Sequence, residues 1–191
     1  WQEGTIFKHV FNFPEKKGAI RSISKPIVCL CYGIAIEKGL FPMGLDQPIM
    51  PFLKEQIITN EENIPFLEKL TIYNLLTLTL GHEEKMLDSK HVATITGQNY
   101  ADVVLNAPIK HAAGEYFIYT NAATYLASVV FQNATGKKLL EFAKQNIFVP
   151  LGITDVLWAE SPQGYNMGCT GIEIFADDLI KIGRLLLNGG V

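Results

Sequence analysis

The chain has 191 residues, 48% of them hydrophobic and 18% charged, with a formal net charge of −3 and a pI near 5.8. This is the composition of an ordinary folded domain with a sizeable core, and it excludes an intrinsically disordered segment. The sixteen Lys and Arg are scattered and form no basic field, which speaks against a nucleic-acid partner. Along the chain, residues 4–13 (GTIFKHVFNF) are rich in β-branched and aromatic residues and read as a strand, followed by a PEKKG turn. From Pro26 an almost unbroken apolar run reads as a helix buried on most sides, ending near Gly39. LFPMGLDQPIMPFL, with three prolines, reads as an irregular connector, and TIYNLLTLTLG (71–81) as a short helix with a Thr start and a Gly stop. Residues 82–115 read as loop with one or two weak helices. Three stronger helices follow. The first is NAATYLASVVFQNATG, with Asn121 near its N-cap and Gly136 past its end. The second is KKLLEFAKQNIFVPLG, with Leu140, Ala143 and Ile147 on one face. The third is ADDLIKIGRLLLNGG, with Asp177 and Asp178 in its first turn. The body is expected to be mostly helical, with strand signal concentrated at the start.

Three cysteines, Cys29, Cys31 and Cys169, make a disulfide framework implausible and read as small buried hydrophobes. No CxxC or His-rich spacing points to a metal, and no cofactor is expected. His9, His82, His91 and His111 are expected at the surface or in loops. Phe41, Phe52 and Trp158 are expected in or around the core. Asn133-Ala134-Thr135 matches a glycosylation sequon but reads as a helix end, and SPQGYNMGCTG follows no strand-to-helix phosphate pattern. No run reaches the ~18 apolar residues of a membrane span.

A polar knot, Ser22-Ile23-Ser24-Lys25, stands at the mouth of the first apolar helix. Residues three apart share a helix face. A serine hydroxyl needs a base within reach to become a nucleophile, and an apolar setting favours the neutral, basic form of a lysine. The neighbourhood that makes a lysine costly there is also the one this chemistry needs. Alone the pair is weak evidence, because about one Ser-x-x-Lys arises by chance in a chain this long. The second element is Tyr119-Thr120-Asn121, the sole Tyr-x-Asn in the sequence. A phenol beside an ammonium can act as general acid or base, and an Asn amide offers a donor and an acceptor to a substrate amide. The bland alternative is a half-buried aromatic followed by a helix cap.

Together these motifs carry a resemblance. RSISKPIVCLCYGIAIEKGLFPMGLDQPIMPFL, TIYNLLTLTLGH, GEYFIYTNAATYLASVVFQNATGKKLLEFAKQNIFVPLGITD, ESPQGYNMG and FADDLIKIGRLLLNGG occur in that order. They resemble the serine β-lactamase and penicillin-binding protein family, in particular its class C β-lactamase, D,D-peptidase and esterase branch. The resemblance implies an α+β fold of the β-lactamase/transpeptidase type, with mainly the helical region present and most of the antiparallel sheet missing. It implies that residues 1–191 form a single incomplete domain of this kind. It implies Ser22 as acylated nucleophile, Lys25 as its activator, Tyr119 as proton shuttle and Asn121 as holder of the substrate amide. The Ser22 backbone N–H would form half of an oxyanion hole.

The family's third motif, Lys-Thr-Gly or His-x-Gly, does not occur after Asn121. With the Trp1 start and the LLLNGGV end, this leads to the expectation that the chain is truncated at both ends. The expected partner is a small-molecule or peptide substrate: a β-lactam, a D-Ala peptide or a small ester. The alternatives are a non-catalytic sensor or degenerate homologue that binds such ligands, and an inactive structural fragment. The oligomeric state stays open. So does the compartment: the resemblance suggests an envelope or secreted location, whereas unpaired cysteines suggest a reducing one.

Overall fold

The computed structural model describes residues 16–190; the strand expected over 4–13 and His9 lie outside them. A short strand β1 (Gly18–Ala19) leads through a 3₁₀ turn at Arg21–Ile23 into helix α1 (Ser24–Glu37). After the connector come α2 (Ile64–Leu67), α3 (Ile72–Leu76), α4 (Ser89–Thr94) and α5 (Tyr100–Asn106). Helix α6 (Asn121–Thr135) is followed by α7 (Leu139–Ala143), β2 (Leu157–Trp158), β3 (Ile172–Ile174) and α8 (Ala176–Leu187).

The three strands make one small antiparallel sheet in the order β1-β3-β2, with Gly18 opposite Ile174 and Trp158 opposite Ile172. Two of the three described strands lie in the last third of the chain and are two or three residues long, too short for a period-two pattern to register.

Helices α1 and α6 form the centre. Every residue of α6 from 122 to 132 is buried, and Gly136 ends the helix in the left-handed conformation. Tyr32 of α1 packs edge-on against Phe131 of α6 with ring centroids 5.2 Å apart, and Phe131 packs against Phe142 at 4.9 Å. Such aromatic pairs add about 0.5–1.5 kcal/mol each beyond their area. The Tyr32 hydroxyl donates to the Ala127 carbonyl at 2.7 Å, so the buried phenol keeps a partner. Phe41 and Trp158 are buried and Phe52 lies at the rim, as expected.

Three expectations need correction. The 71–81 helix stops at Leu76, because Leu78 takes a left-handed φ of 61°. The N-cap of α6 is Thr120, one residue before Asn121; its Oγ1 accepts from the Ala122 amide. Cys29 is exposed, unlike the buried Cys31 and Cys169; all three are free thiols. His82 lies in a loop, within the expectation, but is only 2% exposed, and neither ring nitrogen has a hydrogen-bond partner. Burial pushes its imidazole down to about 4, against the opposing pull of the Val104 and Ala107 carbonyls. The weak helices expected within 82–115 are α4 and α5. No helix among the described residues is long and apolar enough to cross a membrane.

Candidate active site

The start of α1 is set by the sheet. The Ile20 amide donates to the Ile172 carbonyl of β3 at 3.0 Å, which fixes the chain just before it turns. Arg21 then adopts a left-handed φ of 53°. For a residue with a side chain this costs about 1–3 kcal/mol and persists only where the surroundings impose it. The Ser24 hydroxyl donates to the Arg21 carbonyl at 2.7 Å and closes the turn. The result is a sharp strand-to-helix corner with Ser22 on it and Lys25 in the first turn of α1.

Lys25 is 8% exposed, and each of its three N–H donors has an oxygen acceptor. Its Nζ donates to Ser22 Oγ at 3.1 Å, to Asn121 Oδ1 at 2.9 Å and to the Cys169 carbonyl at 3.0 Å. Among the described residues it makes no ion pair with a carboxylate. The same Nζ lies 5.0 Å from the centre of the Tyr119 ring. The four residues singled out in the sequence, Ser22, Lys25, Tyr119 and Asn121, are therefore together in space. Lys25 is at their centre, although 96 residues separate it from Asn121.

The start of α6 is set by a different device. Thr120 Oγ1 accepts from the Met86 amide at 3.0 Å and donates to the Met86 carbonyl at 3.2 Å, and the Asn121 amide also donates to that carbonyl. With Thr120 as cap, the Asn121 side chain is released from capping. Its Oδ1 faces Lys25, and its Nδ2 donates to the Leu87 carbonyl at 3.0 Å. Oδ1 keeps a second lone pair and Nδ2 a second hydrogen, enough for one amide of a ligand.

Tyr119 is about half exposed. Its phenol is held below the ordinary tyrosine value, first by its hydrogen bond with the Ser22 side chain and then by the Lys25 charge, against the opposing effect of partial burial. Because Ser22 Oγ accepts from Lys25, its own hydrogen is free to point towards the Tyr119 oxygen. The positive ends of two helices of 14 and 15 residues, α1 and α6, meet at this cluster and favour negative charge there. Beside Lys25 opens a cavity of about 460 Å³ with apolar walls from Pro26, Leu30, Leu76 and Leu78, of the size that small ligands occupy.

Sequence reading missed three contributors: the Cys169 carbonyl, the Leu87 carbonyl and Thr120. The first two are backbone groups without a side-chain signature. The Gly168-Cys169-Thr170-Gly171 stretch, where the backbone comes close to α6, was the available signal. Among the described residues no group of His, Cys, Asp and Glu could hold a metal ion.

The profile of the Beta-lactamase family matches residues 15–166. Penicillin-binding protein 4* of Bacillus subtilis (strain 168) is 26% identical over 144 residues, 71% of this chain and 29% of that protein. The fold is similar to that of a putative 6-aminohexanoate-dimer hydrolase from Bacillus anthracis, with a TM-score of 0.76 and 18% identity over 96% of this chain and 51% of that one. It is also similar to an octameric penicillin-binding protein homologue from Pyrococcus abyssi, with a TM-score of 0.71 and 19% identity over 93% and 46% of the two chains. The chain spans about half the length of these structural relatives and less than a third of the curated one. It belongs to the β-lactamase family and has the β-lactamase/transpeptidase-like fold, represented mainly by its helical region.

Proposed function

We propose that this member of the family is a serine hydrolase in which Ser22 attacks the carbonyl of a β-lactam, a D-Ala peptide or a small ester. The observation that carries the reading is the Lys25 ammonium bonded at once to Ser22 Oγ and Asn121 Oδ1, with the Tyr119 ring beside it. Since Lys25 donates to Ser22 Oγ, the hydroxyl proton goes to Tyr119, whose ionised form the Lys25 charge and the Ser22 hydrogen bond favour. The Ser22 oxygen bonds to the carbonyl carbon and a tetrahedral oxyanion forms. The Ser22 backbone N–H and the two helix starts stabilise that charge. Tyr119 then returns the proton to the leaving nitrogen or oxygen as its bond to the carbonyl carbon breaks. Water releases the acyl group by the same route in reverse. Asn121 contributes its remaining donor and acceptor to the substrate amide. In this reading residues 1–191 are one incomplete domain of the family.

Intact-mass measurement after incubation with a β-lactam, an activated small ester or a serine-directed phosphonate tests the reading. Labelling of the parent chain and none of Ser22→Ala is expected; equal labelling of Ser22→Ala would place the chemistry elsewhere. An acyl adduct that forms and persists would identify a ligand sensor, and one that turns over identifies a hydrolase. Acylation should rise with pH as Tyr119 ionises, with a midpoint below that of an ordinary tyrosine, and Tyr119→Phe should lose this rise.

A further inference from the structure

Two of the three acceptors around Lys25 come from residues of the proposed machinery. The third, the Cys169 carbonyl, comes from the segment between β2 and β3, 144 residues away. A carbonyl in a loop is only as well placed as the loop. This segment is pinned along one face of α6, the face on which Asn121, Thr124, Ser128 and Gln132 recur at spacings of three and four.

Asn166, fully buried, is the main pin. Its Oδ1 accepts from the Leu140 amide at 3.1 Å, its Nδ2 donates to the Trp158 carbonyl at 3.3 Å, and its backbone carbonyl accepts from Ser128 Oγ. Gln132 Nε2 donates to Ser128 Oγ at 2.8 Å and fixes that hydroxyl's direction. Two residues on, the backbone presses against α6 itself: a Cβ at Gly168 would stand 2.3 Å from the Thr124 carbonyl oxygen. At Gly171, with φ of 88°, a Cβ would stand 2.8 Å from that of Ala159, which closes the loop on itself. Cys169 lies between these two contacts. The helix that presents Asn121 to Lys25 thus also carries, two turns further along, the anchor of the loop that presents the Cys169 carbonyl to the same nitrogen.

We infer that Ser128 and Asn166 are positioning residues for Lys25, acting through the Cys169 carbonyl rather than on the substrate. Neither touches the reacting groups. Their polar atoms are used inside the protein, and partners in a buried network are what fix one geometry. With the pin removed the loop lifts, the Lys25 ammonium loses one of three acceptors, and its distance to Ser22 Oγ and Tyr119 is no longer set. A misplacement of about 1 Å in such a group costs on the order of 10²-fold in rate. The inference rests on the serine-hydrolase reading for its effect on rate, but not for its effect on the lysine.

The test uses the 191-residue chain with Ser128→Ala and Asn166→Ala, and the buried Leu105→Ala in α5, whose side chain takes no part in the loop's hydrogen bonds, as a destabilised control. The first readout is the rate of phosphonylation of Ser22 by a serine-directed phosphonate, expected to fall on the order of 10²-fold in both loop variants with little change in reversible affinity. The second is the titration of the Tyr119 phenol by its absorbance near 295 nm, each variant being compared with the same variant carrying Tyr119→Phe. As Lys25 moves away, the phenol should rise towards the ordinary tyrosine value in the loop variants and stay put in the control. If Asn166→Ala does not fold, Ser128→Ala, which deletes a single oxygen, decides. A folded Ser128→Ala with the parent's Tyr119 titration overturns the inference. A parent chain that is never labelled at Ser22 would instead overturn the hydrolase reading, while the titration, which needs no substrate, still decides the positioning.

Discussion

The starts of α1 and α6 deliver polar groups to one spot by opposite means. The α1 start has no side-chain cap and carries a left-handed Arg21, held by the sheet on one side and the Ser24 hydroxyl on the other. The α6 start is relaxed: Thr120 caps it and ties it to both backbone groups of Met86. The strained end bears Ser22, which in the proposed reaction must stand proud of the helix to reach a carbonyl. The relaxed end bears Asn121, which must not move. Strain is accepted where a group must project, and hydrogen-bond saturation is found where a group must hold still.

Lys25 joins the two ends, so Lys25→Ala should be the most damaging change. A loss of about 10²–10⁴-fold in acylation is expected, read by single-turnover labelling; a loss under tenfold would mean that the two starts work independently. Next in size is acid. His82 sits at the base of the 82–87 loop that leads to Met86, and its folded pKa of about 4 lies below its ordinary value of 6.5. The unfolded chain therefore binds the extra proton first, and stability should fall as pH drops from about 6.5 through about 4. The loss is at most about 3 kcal/mol. Denaturant titrations across that range should show it, and His82→Leu should flatten it. Hydrogen exchange should report loosening at the α6 start before the α1 start. Thr120→Val should cost about 1–2 kcal/mol by orphaning the Met86 and Ala122 amides, with exchange rising at those two residues and not in α1. The smallest effect is expected from Arg21→Gly. Relief of the left-handed strain is partly offset by glycine's chain entropy, leaving a gain of no more than about 1 kcal/mol. A clear loss of stability would show that Arg21 is not strained.

Much of this site was legible before any coordinates, because it is built from side chains with chemical signatures. Ser22, Lys25, Tyr119 and Asn121 come from two short motifs whose joint order is specific. What escaped reading has physical reasons. The Cys169 and Leu87 carbonyls are backbone atoms, and their contacts arise from loops closing over long sequence distances. Thr120 and Asn121 are both competent caps, and a one-residue choice depends on Met86, 34 residues upstream. His82 was expected in a loop, which it is, but the loop folds inward beneath α5. The ends of α1 and α6 were legible because glycine punctuates them, whereas α3 stops at a leucine that carries no such mark.

The Tyr32–Ala127 hydrogen bond has a mechanical meaning. A single contact between two rods leaves them free to pivot about it. Here α1 and α6 are pinned twice, by Lys25 to Asn121 at one end and by Tyr32 to Ala127 about two turns along. Sliding α1 by the 1.5 Å rise of one residue would break both pins at once, and pivoting about either would break the other. The pair is a vernier with one permitted setting, and that setting holds Ser22 and Asn121 on the same nitrogen.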